Sequence, residues 1–262
     1  MHIAIINDCR DDNAAIRQLV RAASLTGASV SFCGVGDYGD LGAAGNLIDT
    51  LDAFGEKDGA VLVNVAPRHH DKEWKNGTPF CYALYKKVRI VASYDGYTLS
   101  LLKKLKLVDS VELLDIPEAT EAMVLNGALP ALERERIINS QFRSFDFVPR
   151  VAAYLTAYGT LPAIRTPLST VPDAPRAVWW VDNFGNAKTT LLPEDIGFSD
   201  GGEYITRFGT LPCIANLARV PKGTVALTIG SSGYGTQRFL EVAVSGGRAD
   251  ERFAIHPGIE VL

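Results

Sequence analysis

Five consecutive residues, Asp182-Asn183-Phe184-Gly185-Asn186, put an acid, two amides, a phenyl ring and a glycine into one turn. A hairpin turn of that length needs only an Asn-Gly or Asp-Gly pair, so the surplus of hydrogen-bonding groups reads as a binding loop. A second polar cluster, Asn7 to Asn13, follows the apolar run 2–7. If that run is a strand of a parallel sheet, its loop lies where such sheets bind ligands. One of Asp8, Asp11 and Asp12 is expected to cap the next helix. Three acids exceed that need, and carboxylates suit the vicinal hydroxyls of a ribose. Clustered acids also suit a divalent cation; the diol ranks higher because no phosphate-cradling loop lies nearby. A third cluster, Ser231 to Arg238, places two serines, two glycines and an arginine before a strand. It suits a carboxylate or an amide-edged ring, although taken alone it reads as a Gly-rich turn.

Other patterns carry less. Gly34 to Gly39 spell G-x-G-x-x-G, but on the second strand of the chain and with no acid ending the next one; a tight turn is the better reading than a dinucleotide fingerprint. Cys9, Cys33, Cys81 and Cys213 form no C-x-x-C pair, which fits buried free thiols in a reducing, cytoplasmic compartment. His69 and His70 are adjacent without ligand spacing, so no metal site is expected.

The elements that must hold these loops follow from periodicity. Strands are expected at 2–7, 28–35, 59–65, 87–94 and 108–116. Helices are expected at 14–25, with Ile16, Leu19, Val20 and Ala23 on one face, at 40–55, around 98–105 and at 148–158. Their alternation defines an α/β domain over 1–161 with a mostly parallel sheet. Four prolines within 162–175 read as a linker. Short strands with frequent turn signals fill 176–262, giving a small all-β, barrel-like domain. The chain has 262 residues, 47% apolar and 21% charged, with 26 basic against 30 acidic residues for a net charge of −4. That balance offers no footprint for nucleic acid or an anionic membrane, and no apolar run approaches the roughly 20 residues that span a bilayer. The N-terminal stretch lacks a basic leader region, so no signal peptide is expected.

Taken in order, these segments resemble the S-adenosyl-L-methionine hydroxide adenosyltransferase family, which also contains the fluorinase and chlorinase. The resemblance rests on NDCRDD after the first strand, YDGYTLSLL (94–102), SQFRSFDFVPRVAAYL (140–155), VDNFGN (181–186) and SSGYGTQRFLEVAVSGGRA (231–249). It implies an enzyme that binds S-adenosylmethionine as substrate, needs no cofactor or metal, and cleaves the C5′–S bond by nucleophilic substitution with water or a small anion. It further implies a homotrimer whose neighbouring subunits complete each site. By the same resemblance Asp182 meets the methionine amino group, Phe184 stacks on adenine and Asn186 reads its polar edge. Asp8 and Asp11 hold the ribose hydroxyls, Phe142 lines the ribose, and Ser231, Ser232 and Arg238 approach the amino-acid or adenine end.

The departures are as informative. Hydroxide-type members activate water with an Asp, an Arg and a His; here Ala66, Glu73 and Arg143 fall at those positions. Glu73, His69 or His70 would then be displaced bases. Ser144 matches the serine that cradles halide in the halogenating branch, and Arg143 beside it would attract an anion. Three alternatives stand beside hydrolysis: a halide-using transferase, a binding protein that has lost catalysis, and an enzyme acting on another 5′-substituted adenosine.

Overall fold

The computed structural model describes residues 1–66 and 78–262, which form two compact units, 1–172 and 173–262. The first contains, in chain order, β1 (His2–Asn7), α1 (Asp12–Thr26), β2 (Ser29–Gly34), α2 (Asp40–Phe54), β3 (Gly59–Asn64), β4 (Phe80–Tyr85), β5 (Val88–Ser93), α3 (Ser100–Lys104), β6 (Ser110–Leu114), α4 (Ile116–Leu125), α5 (Arg134–Ile138), α6 (Arg143–Asp146), α7 (Val148–Tyr158) and β7 (Ile164–Pro167). The strands form one sheet in the order β2-β1-β3-β5-β4-β6-β7. The first four are mutually parallel, while β4 and β7 run against their neighbours.

Alternation along the strands builds a core on each face of the sheet. Ile3, Ile5, Ala60, Leu62 and Val91 pack with Phe147, Val148 and Val151 from the α7 side. Central strands buried on both faces are near-continuously apolar, as β3 is, with every residue but Asn64 buried. The order β2-β1-β3 reverses direction at β1, so the crevice beyond the carboxyl ends of β1 and β3 is a topological switch point.

The expected α/β architecture is present, with local corrections. On α1 the buried positions are Gln18 and Ala22, whereas Ile16 and Val20 are more than half exposed. The buried stripe is set by Gln18, whose carboxamide is needed under the end of β1. Ile16 and Val20 instead stay at the surface, in a cluster with Phe145, over whose ring lie the guanidiniums of Arg17 and Arg21. The segment 162–175 is not a linker throughout: Ile164–Pro167 pairs with β6, an edge position that tolerates proline. The strand expected to continue to 116 stops at Leu114, because Asp115 accepts from the Glu118 N–H and starts α4. Cys81 and Cys213 are buried thiols, but Cys9 is exposed.

The second unit contains β8 (Val178–Val181), β9 (Ala187–Thr189), β10 (Glu203–Thr206), β11 (Gly209–Pro212), β12 (Val225–Tyr234), β13 (Gln237–Val244) and α8 (Ala249–Phe253). An antiparallel sheet of order β12-β13-β9-β8 and the β10-β11 hairpin share one core, built by Val178, Leu191, Leu211, Leu227, Leu240 and Val242. Single bridges, Cys213 to Leu227 and Ala177 to Glu260, tie its parts together. This is the all-β, barrel-like unit expected from the turn spacing.

Candidate functional site

In the first unit the polar residues converge on the switch point. Asn7 ends β1 fully buried, so its carboxamide must be satisfied internally. Its Nδ2 donates to Gln18 Oε1 at 2.5 Å, and its Oδ1 accepts from the Cys9 N–H at 2.9 Å and from Asn64 Nδ2 at 3.3 Å. This network fixes the exit of the chain from β1 and sets Asp8 between three strand ends. Asp8 Oδ2 accepts from the N–H groups of Ala66 at 2.9 Å and Tyr38 at 3.3 Å, while Oδ1 is buried with no partner. Burial pushes the Asp8 carboxyl above its ordinary value, against the opposing pull of these amides. Such a carboxylate is poised to accept hydrogen bonds from a ligand. Asp11 Oδ1 caps α1 by accepting from the Ala14 N–H at 3.0 Å.

Beside Ala66 lies a cavity of about 520 Å³ lined by Cys9, Asn64, Thr78, Phe142, Arg143 and Ser144, among others. Val65 and Ala66 also border a second cavity of about 430 Å³, together with Asp40 and residues 95–98. Asp40 accepts from the Tyr97 N–H at 2.9 Å and lies so close to Gly96 that a side chain there would strike it. Each volume is in the range of small-molecule sites. A further cavity of about 550 Å³ includes His2, Lys57 and Asp58 at the amino ends of β1 and β3, away from the edge where the acids and amides converge.

The segment carrying Phe142, Arg143 and Ser144 is clamped from behind. Asp146 accepts from Ser140 Oγ at 2.7 Å and from Arg136 Nη1 at 2.6 Å, and Glu133 receives Arg136 at 2.9 Å and Arg150 at 2.8 Å. Burial disfavours the Asp146 anion, but the Ser140 hydroxyl and Arg136 outweigh it and hold the carboxyl below its ordinary value. Arg143, by contrast, has a buried Nε with no hydrogen-bond partner. The Cys9 thiol, exposed at one side, is pushed up first by partial desolvation, then by Asp8 and Asp11, so it is no activated nucleophile. His69, His70 and Glu73 lie outside the described residues. Among the described residues no group of three His, Cys, Asp or Glu is placed to hold a metal ion.

In the second unit Asp182 is the organiser of its own loop. Its Oδ1 accepts from the N–H groups of Phe184 and Asn186, both at 2.9 Å, and its Oδ2 from Asn186 Nδ2 at 3.1 Å. Gly185 adopts φ +81° and would meet Asp250 and Arg248 if it carried a Cβ; its carbonyl accepts from the Ala249 and Asp250 N–H groups. The result is a rigid turn with the Phe184 ring 68% exposed, a presented aromatic surface. Ser231 and Ser232 lie within β12, beside a register shift between Ile229 and Gly233, rather than in a loop ahead of a strand. Ser232 Oγ lies 2.7 Å from Lys188 Nζ, which also pairs with the buried Glu241 at 3.2 Å. Arg238 donates to the carbonyls of Ser231 and Gly233, which makes it a support for this hairpin.

Gln18, Asn64, Thr78 and Lys188 are not singled out by the sequence, and Asn7 only as the edge of a polar cluster. Asn7 and Asn64 carried a usable signal, since each is the polar last residue of an apolar parallel strand. The others are found only through long-range pairing.

The fold and these clusters define a two-unit protein, an α/β unit with a switch-point cleft followed by a small β unit with a presented aromatic loop. Residues 176–262 match the family model described as the SAM hydroxide adenosyltransferase C-terminal domain. The fold of the whole chain is shared by two solved structures. One is an uncharacterized conserved protein from Thermotoga maritima, with a TM-score of 0.70, 16% identity and coverage of 99% of this chain and 98% of that one. The other is a conserved hypothetical protein from Thermus thermophilus, with a TM-score of 0.63, 22% identity and 99% coverage of both chains. No curated protein matches the sequence. No described helix is long and apolar enough to cross a membrane.

Proposed function

We propose that this protein binds S-adenosylmethionine and cleaves its C5′–S bond by nucleophilic substitution, releasing methionine. The observation that carries the reading is the match of residues 176–262 to the family's C-terminal domain. The α/β unit supports it, because Ala66, Phe142, Arg143 and Ser144, the positions that the resemblance places around C5′, line one cavity. In this reading Asp8 holds the ribose hydroxyls and Phe184 offers a stacking face to adenine. A substitution of this kind needs little from the protein beyond orientation. Holding the nucleophile in line with C5′ and sulfur converts an encounter into a unimolecular step. The protein is expected to act in the cytoplasm as a homotrimer, with a mass in sedimentation equilibrium of three times the 28.3 kDa of the chain.

A second reading, a binding protein without turnover, is favoured by the resemblance, in which Ala66 and Arg143 fall where hydroxide-type members have an acid and an imidazole. Calorimetric titration with S-adenosylmethionine, followed by assay of released methionine, separates the two. Saturable binding with methionine release above the uncatalysed rate supports the enzyme. Binding without release supports the second reading, and absence of binding rejects both.

A further inference from the structure

Arg143 differs from the arginines around it. Arg136 and Arg150 are paired with Glu133, and Arg136 also with Asp146. Arg143, on the short helix between them, makes no ion pair among the described residues, and its Nε is buried without a hydrogen-bond partner. The acid nearest in sequence, Asp146, is engaged by Arg136 and Ser140. Burial lowers the pKa of Arg143, yet a guanidinium does not shed its proton in the physiological range. A partly desolvated cation with no counter-charge among the described residues is costly. The cavity that it lines holds a second orphan: Thr78 is 6% exposed and its hydroxyl has no partner among the described residues. Both residues line one cavity, where a permanent cation and a hydroxyl without a partner among the described residues are complementary to an anion. The planar fork of a guanidinium matches the paired oxygens of a carboxylate or phosphate better than a spherical ion.

We infer that Arg143 and Thr78 form a site for a small oxyanion of carboxylate or phosphate type, and that this oxyanion is the second substrate. The inference rests on the C5′–S cleavage proposed above. An oxyanion oxygen forms the new bond to C5′ as the C5′–S bond breaks. The bonding pair passes to sulfur, leaving neutral thioether methionine, and the oxyanion loses one negative charge on becoming a 5′-O-ester. No proton has to be removed from such a nucleophile, so a cavity with Ala66 and Arg143 in place of an acid and an imidazole remains competent. Sulfonium and anion cancel their charges in the step, which a desolvated cavity favours. The anion is more charged before the step than during it, so Arg143 captures and orients rather than activates. Its removal therefore raises the KM for the oxyanion far more than it lowers kcat.

The test titrates the protein with inorganic phosphate and, separately, with sodium formate at constant ionic strength, with sodium chloride as control. It then adds S-adenosylmethionine and separates the nucleosides. Saturable binding of phosphate or formate is expected, and which of them binds identifies the oxyanion class. Arg143→Gln is expected to weaken that binding by about tenfold or more, Arg143→Lys by less, and Thr78→Val by a few-fold. Melting temperatures of the variants separate a lost site from a lost fold. With S-adenosylmethionine present, the 5′-O-ester and methionine should form in equal amounts. Binding of neither oxyanion, unchanged binding in Arg143→Gln, or equal competition by chloride overturns the inference. Adenosine formed at a rate independent of oxyanion overturns it too, while leaving C5′–S cleavage standing. Oxyanion binding without any binding of S-adenosylmethionine removes both the cleavage and the role of the oxyanion as its second substrate.

Discussion

Asp8 and Asp182 are both acids in loops, yet their environments assign them opposite costs. Asp8 has a buried, unpartnered oxygen, and burial raises its pKa. The folded state therefore binds its proton more tightly than the unfolded state. Above the raised pKa the protein bears the cost of an ionised buried group, and stability is gained as pH falls through that value toward 3.8, the ordinary carboxylate value. Asp8→Asn is accordingly expected to raise the melting temperature at neutral pH, with the advantage shrinking in acid, and to abolish ligand binding. Thermal unfolding at several pH values, with calorimetry, checks both parts. Such an exchange of stability for function is common at binding sites. Asp182, in contrast, holds its turn through three hydrogen bonds. Asp182→Ala should weaken ligand binding and also cost about 1 kcal/mol of stability, with faster amide exchange at Phe184 and Asn186. From sequence alone a turn carboxylate looks dispensable to the fold; the surplus of polar groups in DNFGN is partly the turn's own scaffold.

At the scale of elements, the strands that hold the cleft were legible because parallel core strands are continuous apolar runs. Val88–Ser93 and Gly59–Asn64 needed no tertiary information. The carboxyl-end loop of β1 was legible as a site for the same reason. The α1 face was not, since the two exposed aliphatics, Ile16 and Val20, obey helical spacing while a buried glutamine does not. Pro167 hid β7, which is an edge strand, and the start of α4 was missed although Asp115 and Pro117 are ordinary start signals. The anchoring of α6 was also invisible, because it depends on Glu133, just before α5, meeting Arg136, Asp146 and Arg150 on α5, α6 and α7. That clamp yields a prediction. Asp146 is held below its ordinary pKa, so its stabilisation is present above 3.8 and is lost as pH falls through the lowered folded value. Asp146→Asn should cost about 1–2 kcal/mol at neutral pH and loosen the Phe142–Ser144 segment. The loss, measured by denaturant unfolding, should vanish at a pH below the folded value.

For the whole molecule, the two units have their own cores and hydrogen-bonded sheets. Residues 173–262 expressed alone are therefore expected to unfold cooperatively, as followed by calorimetry and near-ultraviolet circular dichroism; a molten, non-cooperative product would contradict that independence. The family match falls on this unit, whereas the orphaned cation falls in the other. The most direct measurement is incubation of the purified protein with S-adenosylmethionine, with and without added oxyanion, followed by quantification of nucleosides and methionine. The account predicts one methionine for each adenosine-containing product, at a rate above the blank. Tight binding with neither methionine nor a new nucleoside would contradict it.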